Sequence, residues 1–97
     1  MAKYMICIEL ENATVEQYDL LYASMSRINA LRIIYDPFVR QWYKLPRSQY
    51  HYEGVISNKE TMTELINNIV KQIVMNYKIV ITGDDGSAWI GLDKTNH

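Results

Sequence analysis

"YMICIELENATVEQ", residues 4–17, changes period partway along, and that change decides the fold. Through residue 10 the side chains alternate. Tyr4, Ile6, Ile8 and Leu10 share one face, and Met5, Cys7 and Glu9 share the other. The second face is itself partly apolar, which predicts a strand central in its sheet. Thr14 and Gln17 then stand at capping-box spacing, with a hydroxyl for the free amides and a carboxamide that reaches back to the cap. Beyond them Tyr18, Leu21, Tyr22, Met25 and Ile28 recur on one helical stripe, with Asn29 as its end.

Working outward, "LRIIY" (31–35) reads as a second strand that stops at Asp36-Pro37, because proline removes a ladder donor. "YHYEGVI" (50–56) reads as a third strand, and Gly54 within it predicts a bulge or a close backbone approach. "SNKE" predicts a second capping box, with Ser57 as cap and Glu60 at the third helical position. Met62, Leu65, Ile66, Ile69, Val70 and Ile73 follow as an apolar stripe. "YKIVIT" (77–82) is a strand, Gly83-Asp84-Asp85-Gly86 a turn, and "AWIGL" (88–92) a short added strand before a frayed tail over 93–97.

The order β-α-β-β-α-β predicts an α+β, ferredoxin-like sandwich, an antiparallel sheet with two helices on one face and an extra C-terminal strand. Its other face would be open. A second copy is the simplest cover, so a homodimer is expected.

At 97 residues the chain has room for one domain, 1–97. A net charge of -1 gives no global pull toward nucleic acid or membrane, so any such binding needs a local patch. Cys7 is the only cysteine and forms no intrachain disulfide, which fits a reducing compartment. The apolar run after Tyr4 stops at Glu9, too short for a signal peptide, and nothing approaches the ~20 apolar residues of a membrane span. A cytoplasmic protein is expected.

A local patch exists. Arg32, Arg40, Lys44 and Arg47 face only Asp36 between residues 32 and 51, whereas residues 9–19 carry Glu9, Glu11, Glu16 and Asp19 without a base. Cations for phosphate and rings for unstacked bases suit RNA, with Arg40, Lys44 and Arg47 as phosphate ligands and Trp42 and Tyr50 as stacking surfaces. The plainer alternative is that the rings are sheet packing and the cations are solvated. For cleavage by 2′-hydroxyl attack, His51 is a candidate base, with Arg47 and Glu53 beside it. Two histidines and one cysteine, far apart, predict no metal centre, and no cofactor motif is present. Glu9 and Glu11 read as a solvated strand end, with a magnesium site at a dimer seam as the alternative. Cys7 reads as a small core hydrophobe.

"WYKLPRSQYHYEG" (42–54), with the opening "AKYMICIEL" and the Leu45-Pro46-Arg47 step, resembles the GhoS-type endoribonuclease antitoxin family. The resemblance covers most of the chain in length and element order. Its one fairly specific motif is Trp-Tyr-x-Leu-Pro followed by Tyr50 and Tyr52. It implies a ferredoxin-like fold, action on a messenger RNA, and a working arginine on the first helix, for which Arg27 is the nearest candidate. The rival from another class is a non-catalytic, dimeric interaction module that pairs through the open sheet face or the 36–48 connection.

Overall fold

The computed structural model describes residues 1–95; the end of the expected frayed tail, with His97, lies outside the described residues. Along the chain run β1 (Ala2–Leu10), α1 (Val15–Arg27), β2 (Ala30–Leu31), β3 (Ile33–Asp36), β4 (Gln41–Lys44), β5 (Gln49–Gly54), α2 (Lys59–Val70), β6 (Tyr77–Gly83) and β7 (Gly86–Ile90). Five strands form an antiparallel sheet in the order β2-β5-β1-β6-β7, while β3 and β4 pair apart from it as a two-stranded ribbon. The result is a small α+β fold. Among the described residues no helix is long and apolar enough to cross a membrane.

β1 is central, as its two-sided apolar pattern requires. Its even residues meet Tyr50 and Tyr52 of β5 on one side and Ile79 and Ile81 of β6 on the other. These pairs face Leu21 and Met25 of α1 and Met62, Ile66 and Val70 of α2, all buried in one cluster. Each such side chain removed from water contributes about 1.5–3 kcal/mol, which is what holds the helices to this face.

The local signals act much as their chemistry dictates. Thr14 Oγ1 accepts from the Gln17 amide at 3.2 Å, and Gln17 Oε1 accepts from the Thr14 amide at 2.8 Å. Asn29 takes the left-handed conformation (φ 63°) just past the end of α1. The second cap differs from expectation. Asn58, not Ser57, caps α2, its side chain accepting from the Thr61 amide at 3.0 Å, so Glu60 falls one position short of a capping box. Starting the helix there frees Lys59 to bind Asp85 Oδ2 at 3.1 Å, which ties α2 to the β6–β7 turn.

Two further expectations are corrected, and the alternative left at Gly54 is resolved. The strand expected over 31–35 splits at Arg32. Leu31 still pairs with His51, but Ile33–Asp36 pairs with Gln41–Lys44, and Arg32 O accepts from the Leu45 amide at 2.8 Å. A partner four residues away closes a shorter loop than β5 does, at lower entropic cost. Gly54 marks close approach and no bulge: it pairs with Ala2 in regular register, with the Tyr52 ring against its α-carbon. Cys7 is outside the core, half-buried on the open face with its Sγ 3.9 Å from Ser48 Oγ.

Candidate nucleic-acid interface

The open sheet face carries the residues that alternate with the core set: Lys3, Met5 and Cys7 of β1, His51 and Glu53 of β5, and Val80 of β6. Over one end of it stands the β3–β4 ribbon. Asp36 starts the ribbon's turn by accepting the Phe38 amide at 2.9 Å, and proline at 37 presets the first turn dihedral. Arg40 closes the turn in the left-handed region (φ 55°), a conformation that favours glycine or asparagine.

Across the ribbon Tyr35 is opposite Trp42, with ring centroids 5.1 Å apart and planes tilted by 52°. Both residues are exposed, Tyr35 by 42% and Trp42 by 57%, and Phe38 at the tip is 96% exposed. Between ribbon and sheet lies a groove of about 570 Å³ lined by Lys3, Leu31, Tyr35, Trp42, His51 and Glu53, among others. It has aromatic walls and a polar floor. Lys3 and Glu53 are cross-strand partners, and His51 sits between Met5 and Leu31 in register. Burial pushes the His51 pKa below its ordinary value and Lys3 adds to this, against an opposing pull from Glu53. The imidazole is therefore mainly neutral near pH 7, able to donate and to accept one hydrogen bond.

Of the predicted site residues, Trp42 and His51 come together in this groove, and Arg40 stands at the turn of the same ribbon. Lys44 turns to a different pocket, shared with Tyr22 and Arg32. Tyr50 offers no stacking surface: it is 1% exposed in the core, and burial pushes its pKa up to about 12. The three catalytic candidates are not gathered. Arg27 is exposed at the end of α1, beside a cleft between the helices with Ile28 and Leu65. Arg47 lies over the Tyr18 ring of α1, 3.9 Å from its centroid. His51 is on the opposite face of the sheet, so no reacting phosphate touches all three.

Glu9 and Glu11 sit at an ion-paired strand end. Lys78 Nζ lies 3.3 Å from Glu11 Oε1 and is the register partner of Glu9. Among the described residues no three His, Cys, Asp or Glu side chains cluster as metal ligands. The groove residues missed in the sequence are Tyr35 and Lys3. The "LRIIY" pattern reads Tyr35 as a main-sheet residue, and the run "QWYK" after a Pro-containing turn is the signal for its actual partner strand. Lys3 has no local signal, since its place in the groove comes from pairing with Glu53, fifty residues away. Comparison with protein-family models, with curated proteins and with solved structures finds no match to this chain.

Proposed function

We propose that the chain binds single-stranded RNA in the groove between the ribbon and the open sheet face. The observation that carries this reading is the pairing of two exposed rings, Tyr35 and Trp42, with Lys3 and a neutral His51 in one groove. Rings held in water are poised to stack on bases, and every base offers a π face. Arg40 at the turn supplies a cation for the backbone. The sheet order β2-β5-β1-β6, with α1 and α2 as its crossovers, supports the ferredoxin-like reading. Binding is favoured over cleavage because Arg27, Arg47 and His51 are dispersed. The test is fluorescence anisotropy with a labelled, unstructured RNA over a salt series. Trp42→Ala should weaken binding by about 5- to 150-fold, as expected for losing about 1–3 kcal/mol of stacking. Affinity that is unchanged in that variant, or insensitive to salt, refutes the proposal.

A second reading has its own observation. Met5, Cys7 and Val80 are only half-buried on the open face, and Trp89 beside Val80 is 60% exposed. A second copy that covers this face would make the chain a dimeric interaction module. Sedimentation of the wild type and of Trp89→Lys tests it: a dimer lost in the variant supports this reading, and a monomer at all concentrations refutes it.

A further inference from the structure

The other side of the ribbon holds a smaller pocket, of about 260 Å³, lined by Tyr22, Arg32, Ile33, Lys44 and Leu45. Its charged side chains are both cations, and no carboxylate lines it. Among the described residues the ion pairs are those of Lys59 and Lys78, so neither Arg32 nor Lys44 is neutralised. Arg32 lies over the Tyr22 ring, its Cζ 5.5 Å from the centroid. A guanidinium over a ring presents its π face to the ring and keeps its in-plane N–H donors for a second partner. The Nε of Arg32 is buried without a hydrogen-bond partner among the described residues. That edge of the guanidinium is closed to solvent, so the terminal N–H groups are the donors left to meet an oxyanion in the pocket. One helical turn away, Arg47 over Tyr18 adds a second guanidinium to the same side of α1.

From this geometry we infer that the pocket binds a phosphoryl group, held in fork geometry by Arg32 with Lys44 as a second cation and the Tyr22 hydroxyl as a neutral donor. Planar guanidinium donors beside an ammonium match a tetrahedral oxyanion, whereas a neutral ligand would leave two charges uncompensated. The space holds a phosphate with several waters, each taking about 30 Å³. The site is separate from the aromatic groove and stands or falls independently of RNA binding there. Its phosphoryl group has three possible carriers: free phosphate, a terminal phosphomonoester, or a backbone diester.

Amide chemical-shift titration of the whole chain separates them. The three probes are inorganic phosphate, a 5′-phosphorylated dinucleotide and its 5′-hydroxyl counterpart. Saturable shifts centred on Tyr22, Arg32, Ile33 and Leu45 are expected. If inorganic phosphate saturates as tightly as the phosphorylated dinucleotide, the free ion is sufficient. Preference for the phosphorylated dinucleotide assigns a monoester, and equal binding of the two dinucleotides assigns a diester. Lys44 is exposed, so Lys44→Gln leaves the fold intact and should weaken binding about tenfold, the loss of one charge-assisted contact. Tyr22→Phe, which keeps the ring under Arg32, should weaken it less. Shifts that saturate at none of the three probes, that centre elsewhere, or that are unaffected by Lys44→Gln overturn the proposal.

Discussion

Replacing Gly54 by alanine should destabilise the fold by roughly 2–4 kcal/mol, the sum of an overpacking strain of about 1–3 kcal/mol and one lost hydrogen bond. A β-carbon at Gly54 would collide with the Tyr52 hydroxyl and lie 2.6 Å from Cζ and 3.2 Å from Cε1 of that ring. The ring has nowhere to go. It is 4% exposed, stacks on Tyr4 at a centroid distance of 6.0 Å, and its hydroxyl accepts from the Ile56 amide at 3.2 Å. Tyr52→Phe alone should cost about 1 kcal/mol for that hydrogen bond. In the double variant the hydrogen bond is lost once and the nearest clashing atom is gone, so the two losses should sum to at least about 1 kcal/mol less than additivity predicts. Urea unfolding of the four proteins, read by circular dichroism with a common m-value, completes the cycle. A Gly54→Ala protein within 0.5 kcal/mol of wild type, the usual range of a surface change, or an additive cycle, would refute the packing described for this strand.

Arg40→Gly relieves a left-handed residue, and stability should rise by about 0.5 kcal/mol, the cost of φ > 0 less the greater backbone entropy of glycine; thermal unfolding reads this. The same change removes the cation at the ribbon turn, so the slope of RNA affinity against salt should fall by about 0.7. His51, with its folded pKa below its ordinary value of 6.5, makes the unfolded chain bind more protons between the two values. Stability is therefore full above that ordinary value and declines as pH falls beneath it. His51→Gln should flatten this decline in urea midpoints measured from pH 8 to roughly 5, and identical profiles would refute the assignment.

The main sheet was legible because its signals are local and redundant. Alternation in residues 4–10, the Thr14–Gln17 box, the stripe from Met62 to Val70 and the Gly83–Gly86 turn each specify one element, and all agree on the same core. The ribbon was less legible. Residues 31–35 alternate equally well for either partner, and only tertiary competition between β5 and Gln41–Lys44 places the switch at Arg32. The candidate site was legible in composition and not in grouping. The basic-aromatic excess was visible, but β5 sends His51 and Tyr50 to opposite faces, and Pro46 hands Arg47 to α1 while Trp42 stays with the groove. Pairing decides which face a residue reaches, and a one-residue change of register reverses it.

The ribbon gives the domain two levels of cooperativity. None of residues 33–44 is buried, so this segment contributes nothing to the cluster that holds the sheet and helices together. Two strands alone are marginally stable in water. Ribbon amides should therefore exchange with solvent through local opening, while those of β1 and β6 wait for global unfolding. An insertion at the Phe38–Val39 tip would be absorbed there without reaching the core. The part of the molecule that carries the exposed rings is thus the part in which change costs the fold least.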